Sequence, residues 1–317
     1  MDKIALEEHF VTPDFVNYLK NAMPKITKEM SDALVARLSD FGEQRLAAMD
    51  GAGVKLAVLS MTGSGVQIER DTQLAIRRAK QANDALAKEI DRRPDRYAGF
   101  AHLAMQDPKE ASAELVRCVR ELGFKGSMIN DNTLGIYLDD PRYEPFWETM
   151  QELDVPLYLH PDNAYEMPNV LRGCPELAKA TWEWTTESAS HALRIVVAGV
   201  FDRYPRLKII LGHMGETLPY MLWRLDSRYA ATETSRRLKL PPSSYLKNNF
   251  FVTTSGQFAN EPLVCSISAL GEDKVMFSID YPYEDSNVAS RFIEAAPVSE
   301  ATRAKLCCGN AEALLRL

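Results

Sequence analysis

The sequence contains few cysteines, and none of them indicates a metal or redox site. No two of them have C-x-x-C spacing, and the neighbours Cys307 and Cys308 could not easily bond to each other. We therefore expect reduced thiols in helices and loops, with no part in metal binding. The cysteines are Cys118, Cys174, Cys265, Cys307 and Cys308.

Excess positive charge and long apolar runs are also missing. There are 37 Lys and Arg against 44 Asp and Glu, the net charge is -7, and the basic residues are dispersed. This argues against a nucleic acid or an anionic membrane surface as a partner. No apolar run reaches the length of a membrane span, and the first residues, MDKIALEEH, lack the features of a signal peptide. We expect a cytoplasmic protein.

A phosphate-binding glycine loop is missing as well. The segment TGSGVQ at residues 62–67 has neither G-x-G-x-x-G nor G-x-x-x-x-G-K-[ST] spacing, so dinucleotide binding is not indicated. The chain does contain 46% hydrophobic residues over 317 positions. That is enough for a sizeable core, and we predict one domain over residues 1–317.

Eight short apolar segments, each followed by a helical pattern, determine the predicted fold. Strands that alternate with helices pair in parallel through right-handed crossovers, and eight such units favour an α/β fold of the (β/α)8 or TIM-barrel type. A doubly wound open sheet is the alternative. The predicted strands are residues 3–9, 55–61, 97–103, 125–130, 155–160, 208–213, 249–255 and 274–280.

Two helical insertions are predicted, after strands one and five. Residues 11–50 leave the strand end that carries Glu7 and His9, which makes them either a lid or a peripheral decoration. Residues 161–205 are rich in aromatic and aliphatic side chains, which indicates a wall of the site or a subunit contact.

The first predicted strand ends in a candidate pair of metal ligands. Strand side chains alternate with a period of two, so Glu7 and His9 should share the face opposite to Leu6 and Glu8. Other predicted strands end in His160, His213 and Asp280. The carboxyl ends of barrel strands are where such folds carry out chemistry, so this recurrence favours the barrel over the open sheet.

Two imidazoles and two carboxylates of this kind suit one divalent ion. With water or substrate completing the coordination, they fit Zn²⁺ or Mn²⁺. Each residue alone has a structural explanation, His160 as a core histidine and Asp280 as the cap of a turn. At one barrel face they predict a metal site. The predicted ligands are Glu7, His9, His160 and Asp280.

Other polar residues are candidates for catalysis or substrate binding. In GHMGE, Glu216 could keep His213 basic or charged, or it could simply favour the start of a helix. Arg224, placed on the same helical face as Glu216, could hold a substrate carboxylate or form a surface salt bridge. Asn130 ends strand four and is a candidate for a hydrogen bond to substrate.

The two remaining histidines are expected to be structural. His102 ends strand three, and His191 lies in the aliphatic helix SHALRIVVAGV, where a subunit interface could contain it. No lysine ends strand four, because Lys125 lies at its beginning.

Several segments resemble the amidohydrolase superfamily, and the resemblance extends over essentially the whole chain. The chain is most similar to the branch of metal-dependent non-oxidative decarboxylases, which includes γ-resorcylate and 2,3-dihydroxybenzoate decarboxylases. Hydrolytic members have H-x-H at strand one and often a carboxylated lysine at strand four for a second metal ion. Here Glu7 replaces the first of these histidines and no lysine ends strand four, so the resemblance implies one metal ion. The segments that carry the resemblance are IALEEHF, LGFKG, YLHP, FDRYPRLKIILGHMGE, TTSG and FSIDYP.

The resemblance implies a role for each candidate residue. Glu7, His9, His160 and Asp280 would bind the metal, Asp280 would also donate a proton, His213 and Glu216 would assist, and Arg224 would hold substrate. It also implies a homo-oligomer, a dimer or tetramer, that acts in the catabolism of aromatic compounds.

The predicted reaction is reversible decarboxylation of an ortho-hydroxybenzoate, such as 2,6-dihydroxybenzoate (γ-resorcylate) or 2,3-dihydroxybenzoate, to CO2 and a phenol. The ion would act as template and Lewis acid. Asp280, protonated through a raised pKa under a closed lid, would protonate the ring carbon. The alternative is a metal-dependent hydrolase of a lactone or amide with Asp280 as the base. A barrel that only binds ligands would not need Asp280, His213 and Arg224.

Overall fold

The computed structural model describes residues 1–22, 26–234 and 237–317. In this part of the chain, nine parallel strand segments alternate with helices. The strands are β1 (Lys3–Phe10), β2 (Val54–Met61), β3 (Tyr97–Gly99), β4 (Ala101–His102), β5 (Ser127–Asn130), β6 (Leu157–His160), β7 (Ile209–Leu211), β8 (Phe250–Thr253) and β9 (Val275–Met276).

β3 and β4 form one barrel strand, because only Phe100 separates them. The Phe100 N–H donates to the Leu59 carbonyl, and the Ala101 N–H donates to the Gly126 carbonyl on the other side, both at 2.9 Å. The segments pair in chain order, β1 to β3 and β4 to β9, and therefore occupy the eight predicted strand positions.

Backbone contacts join the last strand position to the first. Tyr281, beyond β9, forms a parallel bridge with Glu8, and the His9 N–H donates to the Tyr281 carbonyl at 2.7 Å. The Asp280 N–H donates to the Glu7 carbonyl at 3.0 Å. The predicted (β/α)8 barrel is confirmed, and the backbone contacts that close it involve three of the predicted metal ligands, Glu7, His9 and Asp280.

The helices cover the outside of the barrel. α4 and α5 show why they form: Asp71 and Asp107 cap their first backbone N–H groups, and their buried residues recur at helical spacing. The helices are α1 (Val16–Ala22), α2 (Lys28–Ser39), α3 (Glu43–Ala52), α4 (Thr72–Arg92), α5 (Pro108–Arg120), α6 (Glu144–Leu153), α7 (Glu183–Val197), α8 (Val200–Arg203), α9 (His213–Glu216), α10 (Leu218–Ala230), α11 (Pro242–Asn249), α12 (Asn260–Leu270), α13 (Ser286–Ala295), α14 (Glu300–Ala304) and α15 (Asn310–Leu315).

Two layers of apolar side chains form the core. A large cluster lies between strands and helices, and a smaller one fills the barrel. Leu314 and Leu315 of α15 pack against the barrel cluster. The barrel cluster draws on most of its strands through Ile4, Leu6, Val58, Ala98, Phe100, Met128, Tyr158, Ile210 and Met276. No described helix is both long and apolar enough to cross a membrane.

β1 departs from strict alternation. Leu6 belongs to the barrel cluster with Tyr158, and the Tyr158 hydroxyl also donates to Glu7. The pairing of β1 with β2 shifts register between Ala5 and Glu8. The prediction that Leu6 faces away from Glu7 is therefore wrong, because a strand irregularity resets the alternation.

Candidate active site

Four side chains from three strand ends meet at the carboxyl end of the barrel. The ligand atoms of Glu7, His9, His160 and Asp280 lie within 4.8 Å of one another. His9 Nε2 is 3.1 Å from Asp280 Oδ1, and His160 Nε2 is 3.3 Å from Glu7 Oε1. We call these residues the four-ligand cluster.

The cluster contains buried polar atoms that lack hydrogen bonds. Within the described residues, Glu7 Oε1, His9 Nε2, His160 Nδ1 and Asp280 Oδ1 have no hydrogen-bond partner. Such a group costs about 1–3 kcal/mol when buried unpaired, so four together indicate a site built for something that binds them. Two imidazoles and two carboxylates could hold one divalent cation.

Neighbouring hydroxyl groups fix the orientation of Glu7. The Tyr158 and Ser255 hydroxyls both donate to Glu7 Oε2, and Thr253 contacts the Tyr158 hydroxyl at 2.7 Å. A Cβ atom at Gly212 would lie 2.7 Å from Oε2, so only glycine leaves room for this arrangement. Oε1 is left to bind a ligand. Tyr158 precedes His160 by two residues, and that spacing was the signal that could have identified it.

Asp280 is ionised, in contrast to the sequence expectation. Burial raises its pKa, but the neighbouring imidazoles of His213 and His9 outweigh burial and lower the pKa of Asp280 to about 2. The expected raised pKa is therefore wrong, and a bound cation would lower it further. Asp280 also has a left-handed backbone conformation, with φ of 80°, as is common at functional sites.

His213 and Glu216 form the predicted pair. His213 Nδ1 lies 2.6 Å from Glu216 Oε1, and His213 Nε2 lies 3.7 Å from Asp280 Oδ2. Burial lowers the pKa of His213, but the charges of Glu216 and Glu7 raise it well above its usual range. His213 is therefore an imidazolium next to the cluster. A Cβ at Gly256 would lie 2.9 Å from His213 Cδ2, which explains the glycine.

Arg224 does not reach the cluster in its own chain. Thr217 has a left-handed φ of 67°, and α10 begins after it with proline in its first turn, so Glu216 is not on the helix of Arg224. The prediction that the two share a helical face is wrong for this reason. Arg224 is exposed, and it does not line the cavity described next.

A cavity of about 320 Å³ opens onto the cluster. His160, Asp280, His213 and Glu216 line it, and Leu19 of α1 reaches it from the first insertion. The second insertion forms one wall, which confirms that alternative of the prediction. Its lining residues are Ala178, Lys179, Ala180, Thr181, Trp184 and Thr185.

One end of the cavity is polar and was not predicted. Thr62, Gly63, Asp162 and Lys179 line it, and we call this set the polar end. Burial raises the pKa of Asp162 to about 7. Asn130 is fully buried and borders Gly63, but it does not itself line the cavity.

The two histidines expected to be structural have structural partners. His102 Nε2 accepts a hydrogen bond from the Val66 N–H at 3.0 Å. His191 Nδ1 is 3.0 Å from Asp131 Oδ1, and its Nε2 accepts from the Leu138 N–H at 2.8 Å. The suggestion that His191 lies in a subunit interface is wrong, because its side chain is fully buried in its own chain.

The sequence profile of the amidohydrolase family matches residues 9–317. The chain belongs to this family. Among its members, the γ-resorcylate decarboxylase of Rhodococcus jostii (strain RHA1) is 43% identical over 331 residues, covering 99% of this chain and 98% of the relative. That of Rhizobium sp. (strain MTP-10005) is 41% identical over 330 residues, with the same coverage.

Solved structures of the family agree with the fold. A 2,6-dihydroxybenzoate decarboxylase complexed with 2,6-dihydroxybenzoate has a TM-score of 0.94 and 41% identity, covering 100% of both chains. A dihydroxybenzoic acid decarboxylase from Polaromonas sp. JS666, with bound manganese and the inhibitor 2-nitroresorcinol, has a TM-score of 0.93 and 42% identity, covering 100% of this chain and 97% of the other. The resemblance to the decarboxylase branch is confirmed.

Proposed function

We propose that this protein is a metal-dependent, non-oxidative carboxy-lyase that reversibly decarboxylates an ortho-hydroxybenzoate. The products are CO2 and a phenol, and one proton replaces the carboxyl group on the ring. The relatives named for γ-resorcylate support 2,6-dihydroxybenzoate as a substrate, with 2,3-dihydroxybenzoate as a second candidate. We place the reaction in the catabolism of aromatic compounds.

The observation that carries the proposal is the four-ligand cluster with its unpartnered atoms, open to a cavity large enough for one aromatic ring. We propose Glu7, His9, His160 and Asp280 as the ligands of one ion. Manganese is favoured because the Polaromonas relative binds it, and zinc also suits this donor set. When bound, the ion supplies a Lewis acid that polarises the phenolate and carboxylate oxygens of the substrate.

The chain's own residues would then move the proton. The His213 imidazolium holds a proton on Nε2, 3.7 Å from Asp280 Oδ2. Because Asp280 is ionised at rest, it takes this proton during the reaction and passes it to the ring carbon that bears the carboxylate. The new C–H bond interrupts aromaticity, and cleavage of the C–C bond releases CO2 and restores the ring. The His213–Glu216 pair is recharged with a proton from water.

The experiment that tests this function measures CO2 release from a panel of ortho-hydroxybenzoates. Each compound is assayed with the protein as purified, after chelation, and after Mn²⁺ or Zn²⁺ is added back. Release that is lost on chelation and regained with one ion is expected. No release from any compound, with the metal demonstrably bound, would contradict the proposal, and a ring-opened acid from a lactone panel would then indicate a hydrolase.

Substrate contacts in this proposal come from two further residues. Asn130 has a buried amide group whose Oδ1 and Nδ2 lack partners among the described residues, which supports a hydrogen bond to substrate. Arg224 would bind substrate only across a subunit contact, because it does not line the cavity of its own chain.

We propose a homo-oligomer, a dimer or tetramer. Two large apolar side chains next to Arg224 on α10 support it: Tyr220 is 82% exposed and Trp223 is 78% exposed. Sedimentation equilibrium tests the assembly.

We also propose that residues 1–317 form a single domain, which the family profile over residues 9–317 supports. We propose the cytoplasm as its location. All five cysteines are unpaired, which suits a reducing compartment. Residues 11–50 remain a candidate lid, supported by the contact of Leu19 with the cavity; positions 23–25 of this segment lie outside the described residues.

A further inference from the structure

The polar end of the cavity is not used by the proton chemistry proposed above. Its central feature is Asp162, which is only 5% exposed although it lines the cavity. A carboxyl group in so buried a position needs hydrogen-bond donors.

Within the described residues, Asp162 has two hydrogen-bond donors. Its Oδ1 accepts from the Asn163 N–H at 2.7 Å, and the Ser64 hydroxyl also donates to the carboxyl group. A carboxylate has about four acceptor positions, and a protonated carboxyl group still has an acceptor oxygen. These two bonds therefore leave capacity to accept a donor from the cavity.

Gly63 keeps this carboxyl group accessible. A Cβ atom at Gly63 would lie 3.9 Å from Asp162 Oδ2 and 3.8 Å from Asn130 Oδ1. These are ordinary contact distances, so a methyl group would fit there but would cover both polar atoms. The absence of a side chain leaves a small space bordered by a carboxyl oxygen and by an amide group that has no partner among the described residues.

The charges near this space favour a neutral donor over an anion. Lys179 is the cation of the polar end, and its Nζ donates to Asn163 Oδ1 at 3.1 Å. Burial lowers the pKa of Lys179, and the charges of Asp162 and Glu183 oppose this effect. Among the described residues, two carboxyl groups act on one ammonium group, so a further carboxylate is disfavoured, whereas a hydroxyl or amino group can donate to Asp162.

We propose that Asp162 determines specificity by accepting a hydrogen bond from a hydroxyl or amino substituent on the substrate ring. This rests on the proposed function and narrows it to ortho-hydroxybenzoates that carry a second hydrogen-bond donor. A methyl group is similar in size to a hydroxyl group but returns no hydrogen bond to the buried carboxyl group. Sites that hydrogen-bond a substrate hydroxyl reject the analogue that lacks it.

The experiment compares salicylates that carry hydrogen, hydroxyl, amino, methyl or carboxylate at each free ring position. CO2 release gives kcat/KM, and calorimetry on the manganese-loaded protein gives Kd. At one ring position, the hydroxyl and amino compounds should have a kcat/KM at least about 10-fold higher, and a Kd at least about 10-fold lower, than the methyl compound. Equal values for donor and methyl compounds at every position would overturn the proposal. Preference for the carboxylate would also overturn it and would indicate Lys179 as the contact.

Three variants test whether Asp162 is responsible for the preference for donor compounds over methyl compounds. Asp162→Ala removes the acceptor, and Gly63→Ala covers it without changing the acid, so both should reduce the donor-to-methyl ratio to about 3-fold or less. Glu284→Gln removes an exposed carboxylate that also lines the cavity, so it should leave the ratio unchanged. Thermal melts and manganese content establish that each variant is folded. If Asp162→Ala does not fold, Gly63→Ala and the wild-type series still decide the outcome.

The two readouts separate this inference from the proposed function. A donor preference in Kd that disappears in the Asp162 and Gly63 variants, without CO2 release from any compound, would support the polar end and contradict the decarboxylase. Release of CO2 with no donor preference would support the decarboxylase and contradict the role of Asp162. Failure of every compound to bind would contradict both.

Discussion

Two pairs of buried histidines in this barrel differ in how their ring nitrogens are used. His102 and His191 bind backbone N–H groups through Nε2, and His191 also contacts Asp131. In the four-ligand cluster, His9 Nε2 and His160 Nδ1 have no hydrogen-bond partner in the part of the chain that the structure describes. Burial is similar in all four, at 6% exposure or less.

The difference separates histidines whose ring nitrogens are used by the fold from histidines with a ring nitrogen left open to a ligand. A buried polar group with all its partners stabilises the fold, and its removal leaves those partners unpaired. A buried group without partners costs stability until a ligand binds it, so function there is obtained at the expense of the free energy of unfolding. Substitutions in the two kinds of residue should therefore have different consequences for activity, metal binding and stability.

Asp280→Asn should reduce turnover by about 1,000-fold or more, because the amide cannot relay a proton from His213 to the ring. Binding of an unreactive nitrophenol analogue, measured by calorimetry, should be largely retained. Asp273→Asn is the matched control, since Asp273 is 73% exposed and outside the cavity. An active Asp280→Asn variant would remove Asp280 from the proposed mechanism.

His191→Ala should lower the free energy of unfolding by about 3 kcal/mol, because the buried Asp131 carboxylate and the Leu138 N–H both lose a partner. His160→Ala, studied in metal-free protein, should cost less, about 1–2 kcal/mol: it loses packing and the 3.3 Å contact of Nε2 with Glu7 Oε1, but among the described residues Nδ1 has no hydrogen bond to lose. Urea unfolding in the presence of a chelator measures both. Equal losses would contradict the contrast between the two kinds of histidine.

His102 should make stability depend on pH. Burial lowers its pKa from 6.5 to about 3 in the folded protein. The unfolded chain therefore binds the proton first, so the contribution of His102 is complete above pH 6.5 and is lost as pH falls towards 3. Between pH 7 and pH 5 the loss is about 2 kcal/mol.

The variant that tests this is His102→Gln, whose side-chain oxygen can replace Nε2 as acceptor for the Val66 N–H. Urea unfolding at several pH values should give a shallower decline for the variant than for the wild type. Parallel curves would show that His102 does not carry the effect.

Tyr158→Phe should weaken manganese binding by about 10-fold, because Glu7 loses a donor that orients its carboxylate. Tyr97→Phe is the matched control, since the Tyr97 hydroxyl donates to the Phe41 carbonyl at 2.7 Å, outside the cluster. Calorimetry on the chelated proteins measures both affinities. Equal affinity in the two variants would mean that Tyr158 has no role in the orientation of Glu7.

The sequence predicted the eight strand positions and the cluster of polar side chains at their ends, and these are the features that follow local rules. Apolar runs with helical spacing between them specify strands and helices, and in a parallel barrel every strand end reaches the same face. Glu7, His9, His160 and Asp280 could therefore be brought together without coordinates. The contact between His213 and Glu216, three residues apart, could be predicted for the same reason.

The features that the sequence did not predict depend on contacts between distant segments. The orientation of Leu6 depends on a register shift against β2, and the position of Arg224 on a break in the backbone at Thr217. The low pKa of Asp280 depends on imidazoles from other strands. Asp162 lies near Gly63 only because the loops after β6 and β2 meet at the cavity.

The sequence by itself therefore determined the barrel and the polar residue types that meet at the carboxyl end of its strands, because periodicity and strand ends are local properties of the chain. The tertiary structure alone decided which polar groups are satisfied and which are left open. It holds His191 against Asp131 and Leu138, whereas His160 Nδ1 and Glu7 Oε1 have no hydrogen bond to any residue in the ranges 1–22, 26–234 and 237–317. Hydrogen bonds and electrostatic interactions act over a few ångströms, and only folding brings residues so far apart in sequence within that range.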